Sequence, residues 1–268
     1  MALTDALKGH WRLEEASAAN RLDSSGFGHT MFDNHAVPRN VGGRVGNCAE
    51  FFRAHNGDYL SANDCANLSI GDNDMSATCW LNMTDWNNGQ GIFGKYGALA
   101  GNREWVIKCD ASNLFTVEWA NAHSVKCNTF GAVAPANWYF VGMTYDSVAN
   151  LLSIMVNGSA NKDTVAAATP GKDGSTGMMI GRCEGGNYFN GVIDECSYWK
   201  RIISNGEYNW LYKSGSGRAW PWAELGTGVN QIIWTMFEFY KELKRGLIPP
   251  EELQRRYRGL KDQGLVTI

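Results

Sequence analysis

The sequence predicts an all-β protein, a two-sheet antiparallel sandwich with a short helical appendage at its C-terminal end. From about residue 8 to residue 200, short alternating apolar and polar segments are separated by clusters of Gly, Asn and Asp, the pattern of strands joined by tight turns. Glycine and tryptophan are both frequent, 31 and 11 of 268 residues, as many turns between aromatic-rich strands require. Helical spacing appears only beyond residue 203.

Taken in order, Trp80 lies in the alternating run Ala77-Thr78-Cys79-Trp80-Leu81-Asn82-Met83, and Trp105 in Arg103-Glu104-Trp105-Val106-Ile107-Lys108. Phe115, Val117 and Trp119 mark the next strand, and Trp138 and Tyr145 lie near the ends of another. Leu151-Leu152-Ser153-Ile154-Met155-Val156 runs into Asn157-Gly158, whose tolerance of positive φ predicts a type I′ hairpin with a strand returning over 159–166. A single short helix is expected over 204–213, with Ser204 and Glu207 in capping-box relation.

Gly226-Thr227-Gly228 is the clearest break in the chain. The expected organisation is therefore a sandwich domain over 1–222, a linker over 223–228 and a helical segment over 229–268. In that segment Val229, Ile232, Ile233, Met236, Phe237, Tyr240 and Leu243 form one helical stripe, with Phe239 at its edge and Trp234 outside it. Such a helix needs cover, so Ile232, Ile233, Trp234, Met236, Phe237, Phe239, Tyr240 and Leu243 are the candidate attachment residues. Pro249-Pro250-Glu251-Glu252 opens a second, charged helix.

Composition narrows the function. Hydrophobic residues at 44% and charged residues at 19% supply a core and exclude a disordered chain. No run of 18 uninterrupted apolar residues occurs, so no membrane-spanning helix is expected. A net charge of -3 gives no basic field for nucleic acid. The start lacks the basic and apolar regions of a secretory signal, so the chain is expected to be made in the cytoplasm. Seven cysteines without a C-x-x-C pair spell no zinc or redox motif and read as buried thiols. The five histidines are too dispersed for metal-ligand spacing and read as surface or turn residues.

These blocks, in this order, resemble the laminin G-like branch of the concanavalin A-like jelly rolls. The similarity spans roughly residues 10–217. It is carried by His10-Trp11-Arg12-Leu13-Glu14-Glu15, Asp23-Ser24-Ser25-Gly26-Phe27-Gly28, Gly43-Arg44-Val45-Gly46, Phe51-Phe52, Asp58-Tyr59-Leu60, Ile92-Phe93-Gly94-Lys95-Tyr96, Trp138-Tyr139-Phe140-Val141 and Ile180-Gly181-Arg182. Phe189-Asn190-Gly191-Val192-Ile193-Asp194-Glu195 closes the series. The resemblance implies a laminin G-like jelly roll.

On strict alternation the closing strand puts Val192, Asp194, Cys196 and Tyr198 on one face and Ile193, Glu195, Ser197 and Trp199 on the other. One acid then points to each face, and a buried carboxylate needs a partner. The resemblance implies a structural calcium held by Asp23 and Asp194. The residues alone equally allow a turn aspartate satisfying local N–H groups and an aspartate paired with an arginine.

Enzymatic chemistry is not expected. Glycosidases on this architecture place two carboxyls on one strand face, whereas Asp194 and Glu195 are adjacent and Glu118 has no acid two residues away. The resemblance implies a binding module for polysaccharides, glycoproteins or other cell-surface material. Trp86, Asn87, Asn88, Asn187 and Tyr188 are the candidate ligand-binding residues, because aromatics stack on sugar faces and amides meet hydroxyls. Domains of this type are common in phage decoration, fibre and tail proteins. The expected role is accordingly a virion accessory protein attached through residues 229–268 to a capsid or tail protein or to symmetry mates. A free-standing carbohydrate-binding lectin is the alternative, and a glycoside hydrolase or lyase the third.

Overall fold

The computed structural model describes residues 2–34, 39–54, 57–85, 89–183, 186–222, 249 and 251. Residues 4–219 form one compact unit, and Met1–Leu3 with Trp220–Ile268 form another. The 223–228 linker, all the candidate attachment residues, and Trp86, Asn87 and Asn88 lie outside the described residues.

The larger unit begins with β1 (Leu7–Trp11), β2 (Phe32–Asn34), β3 (Arg39–Gly42), β4 (Asn47–Phe51), β5 (Tyr59–Ser61) and β6 (Met75–Met83). It continues with β7 (Gln90–Tyr96), β8 (Arg103–Cys109), β9 (Phe115–Trp119), β10 (His123–Lys126), β11 (Trp138–Asp146) and β12 (Leu151–Val156). Then come β13 (Lys162–Ala166), β14 (Met179–Ile180), β15 (Arg182–Cys183), β16 (Asn187–Tyr188), β17 (Gly191–Trp199) and α1 (Asn205–Tyr212). One sheet runs β13-β12-β11-β6-β17-β4-β3, with β1 also pairing β17; the other runs β10-β9-β8-β7-β14-β5-β2. All pairings are antiparallel. The expected jelly-roll sandwich is what forms.

The core lies between the sheets because alternate residues of each strand face inward. Ala77, Cys79 and Leu81 of β6, Val141 and Met143 of β11 and Leu152 and Ile154 of β12 meet Phe93, Trp105, Ile107, Phe115, Val117 and Trp119 of the second sheet in one cluster. Aromatic stacking across the gap fixes the two sheets. The Trp119 and Tyr145 rings are 3.9 Å apart at 25°, and Trp105 and Tyr198 are 5.8 Å apart at 11°. Trp11, Trp80 and Trp199 are buried and Trp138 is half-buried.

Asn157 and Gly158 do turn the chain with positive φ, 51° and 117°. The hairpin differs from the two-residue form expected: Val156 N donates to Asn161 O and Asn161 N to Gly158 O, so the return strand starts at Lys162 rather than Ser159. The longer loop frees the Asn157 side chain to accept from Phe140 N at 2.8 Å.

Helix α1 carries the expected capping box, with Glu207 N donating to Ser204 Oγ and Ser204 N to Glu207 Oε2. The helix docks on the outer face of the first sheet. Tyr208 Oη lies 2.7 Å from Phe140 O and 3.0 Å from Met155 O. A Cβ on Gly142 would stand 2.4 Å from the Tyr208 ring, so glycine is what admits the helix there.

Strict alternation fails in β17. Asp194 pairs with Trp80 and Ser197 with Thr78, leaving two residues opposite Cys79, a β-bulge. Glu195 takes the positive φ, 49°. The extra residue resets the alternation, so that Ile193, Cys196 and Tyr198 all enter the core and neither Asp194 nor Glu195 does. The two acids are not divided between the faces. His10 also departs from expectation: it is fully buried, because it pairs with Ser197 in the β1–β17 ladder.

Candidate functional site

Two constellations follow from the loops and strands singled out in the sequence. The first is a rim where two loops meet. The loop after β6 starts with Asp85, which takes a two-pronged contact from Arg53 (3.2 and 2.8 Å) and accepts from Asn190 Nδ2 at 2.9 Å. Gln90 ties the same groups, donating from Nε2 to Asp85 O (3.0 Å) and accepting from Asn190 N (3.0 Å). Cys183 Sγ lies 3.6 Å from Gly89 O. A Cβ on Gly89 would sit 3.6 Å from the Asn187 amide.

Described residues of the two stretches thus stand together, Asp85, Gly89 and Gln90 beside Cys183, Asn187 and Asn190. Tyr188 packs so closely on Gly57 that a Cβ there would stand 2.1 Å from the ring. The Arg182 guanidinium lies 4.6 Å from the Tyr59 ring centre and 5.2 Å from that of Tyr188, holding the half-buried Tyr188 in place. Arg53, Tyr59, Arg182 and Asn190 complete this rim; Tyr59, Arg182 and Asn190 stood in the family blocks without being read as binding residues, and nothing in its local sequence marks Arg53.

The second constellation is the pair of acids in β17. Asp194 is fully buried. Its Oδ2 accepts from Val45 N at 2.8 Å, while Oδ1 has no hydrogen-bond partner. Burial pushes its carboxyl up to about 8, against the pull of the Val45 and Arg44 N–H groups, and the nearby Glu195 and Glu14 add to the rise. Glu195, 5% exposed, is likewise raised to about 8 by burial, with Arg12 pulling it down and Glu14 up. Burial also lowers His10 to about 3. The 3.1 Å contact of His10 Nε2 with Glu195 Oε2 is therefore one between neutral groups at pH 7, and His10 Nδ1 lies 2.8 Å from Ser197 Oγ.

Asp23 is placed differently. Its Oδ1 accepts from His10 N (3.0 Å) and Ser25 N (2.8 Å), and its Oδ2 from His29 N (3.0 Å). Three N–H dipoles thus point at the oxygens a cation would need, which is the turn-aspartate alternative. The shared calcium with Asp194 that the resemblance implies would have to compete with these three donors for the Asp23 oxygens. Asp194, with its buried unpartnered oxygen, is the half of the pair whose chemistry suits a cation. No group of three or more His, Cys, Asp or Glu is placed to hold a metal among the described residues.

Glu118, the other acid considered for chemistry, pairs with Lys108. No described helix is long and apolar enough to cross a membrane.

With the sandwich and its closing strand in place, the family can be stated: the chain belongs to the concanavalin A-like lectin/glucanase superfamily, through a laminin G-type model matching residues 54–207. No curated protein matches it. Among solved structures it is similar to the binding domain of Paraclostridial Mosquitocidal Protein 1, with TM-score 0.63, 15% identity and coverage of 79% of this chain and 53% of that one. It is similar to Domain 4 of AbnA, a GH43 extracellular arabinanase from Geobacillus stearothermophilus, in complex with arabinotriose, with TM-score 0.57, 14% identity and coverage of 79% and 98%. The receptor binding domain of botulinum neurotoxin mosaic serotype C/D gives TM-score 0.60, 15% identity and coverage of 80% and 52%. At these identities the likeness is one of fold, and the chain spans about half the length of the two toxin domains.

Proposed function

We propose that the chain is a non-catalytic binding module that recognises a glycan or other cell-surface material through the rim of the 85–90 and 182–188 loops. The observation that carries this is the convergence of the two loops, with an aromatic ring seated by an arginine beside amide side chains. Rings present CH-binding faces and amides present donors and acceptors, which together suit a hydroxylated ligand. That solved relatives in fold are named as binding domains, one of them in complex with arabinotriose, supports the reading. Against hydrolysis, Asp194 is buried under the 43–46 loop, Glu195 is buried against His10, and Glu118 is tied to Lys108.

The setting is a virion surface, with Ile232, Ile233, Phe237 and the rest of the 229–243 stripe attaching the module to a capsid or tail protein or to symmetry mates. Support comes from the width of that stripe, which needs apolar cover. A glycan array and particle co-sedimentation test both levels together. Tyr188→Ala should weaken glycan binding about tenfold, and truncation before Gly226 should leave glycan binding intact while abolishing co-sedimentation. A truncated chain that still co-sediments refutes attachment, and a monomer that binds glycans without any particle favours the free-standing lectin.

A further inference from the structure

A cleft of about 450 Å³ opens on the outer face of the first sheet, lined among others by Arg44, Trp80, Asn137, Trp138, Asn157 and Tyr212. It shares no residue with the 85–90 and 182–188 loops. Five separate stretches build it: the β3–β4 hairpin tip, β6, the start of β11, the loop after β12 and the end of α1. Its floor is the buried Trp80, which stacks with Tyr212 (5.8 Å, 25°) and lies tilted against Phe140 (5.0 Å, 36°).

Three polar groups in this cleft have unused capacity. Asn157 Oδ1 accepts from Phe140 N, which leaves its Nδ2 donors without a partner among the described residues. Asn137 Nδ2 donates to Pro135 O (3.2 Å) and Ala134 O (3.4 Å), which leaves its Oδ1 acceptor open. Arg44 is exposed; its guanidinium lies 5.4 Å from the Trp80 ring centre, and no described carboxylate pairs with it. An arginine held by a ring keeps its planar fork of donors for a carboxylate or sulfate. The half-buried Trp138 offers an aromatic surface beside these groups.

We propose that this cleft is a second binding site, taking a saccharide unit that carries an anionic group, with the sugar ring against Trp138, its hydroxyls on Asn137 and Asn157 and its anion on Arg44. The chain's net charge of -3 provides no general attraction for anions, so selectivity for the acidic sugar resides in Arg44. The site is independent of the rim proposed above.

The test is calorimetric titration of the full chain with three acidic oligosaccharides and their neutral counterparts: oligogalacturonate and its methyl ester, 3′-sialyllactose and lactose, and a sulfated heparin tetrasaccharide and its desulfated form. At least one acidic probe should bind ten or more times tighter than its counterpart. Arg44→Gln, a change at an exposed side chain, should remove that preference. Trp138→Ala should weaken both members of the pair, and Tyr188→Ala should leave the ratio unchanged. The proposal is overturned if no acidic probe binds, if Arg44→Gln and Trp138→Ala bind as the parent does, or if Tyr188→Ala alone abolishes binding. The last outcome would place the ligand at the rim.

Discussion

Replacing Asp194 by Asn should change how stability depends on pH, by an amount the structure sets. In the unfolded chain an aspartate has its ordinary value of 3.8, and in the fold burial raises Asp194 to about 8. Between those values the native state holds a proton that the unfolded state has lost, so stability falls as pH rises. The slope is ~1.4 kcal/mol per pH unit, or ~3 kcal/mol between pH 5 and pH 7, and it flattens above about 8 where both states are ionised. Asn keeps an oxygen for Val45 N and places its amide where Oδ1 has no partner. The other groups around the site, Glu195, Glu14, Arg12, His10 and Asp23, are present in both proteins. Urea unfolding at pH 5, 6 and 7 with chelator present measures the comparison. The variant should gain ~3 kcal/mol on the parent across that interval. Parallel stability curves for the two proteins would refute the buried, protonated Asp194.

Calcium should act through the same residue: at pH 8, millimolar calcium against chelator should raise the melting temperature of the parent by mass action and leave Asp194→Asn unmoved, and equal responses in the two proteins would remove Asp194 as a ligand. Lys95 is fully buried beside Glu104, and also meets Ser69 Oγ and Asp64 Oδ1 at 2.8 Å, so Lys95→Met should destabilise by ~3 to 5 kcal/mol through the uncompensated acid. Guanidinium unfolding reads this, and a loss under ~1 kcal/mol would mean that Glu104 finds relief in its bonds from Ile70 N and Gly174 N.

What the sequence made legible was local. Ser204 and Glu207 cap α1 as their spacing requires, because that bond involves residues three apart. Asn157-Gly158 turns the chain because both residues accept positive φ. Apolar alternation found the strands because burial of one face is written in every second residue. The bulge at Glu195 was not legible, since it exists only relative to Cys79 on the neighbouring strand. Nor was the burial of His10, which follows from its ladder position opposite Ser197. The Arg44 cleft draws on side chains from five stretches of chain, and no single stretch carries its pattern. At Asp23 the residues allowed a turn aspartate, and three N–H donors do converge on it; the calcium reading came from the resemblance and not from the local residues.

The bulge also explains why an acid is tolerated in the closing strand. Without the extra residue, one of two adjacent acids would have to enter an aromatic core that offers carboxylates few donors. With it, both are kept out of the core, and Asp194 lies under the β3–β4 hairpin tip. A Cβ on Gly43 would stand 2.7 Å from Asp194 Oδ2, so glycine there is what lets the backbone close over the acid. The N–H groups of Val45 and Arg44 then bond to Asp194, which fixes the tip and with it the Arg44 side chain over Trp80. A protonated carboxyl still accepts through its carbonyl oxygen. The tip therefore stays anchored on both sides of pH 8, and titration of Asp194 changes how stable the fold is without changing where Arg44 stands.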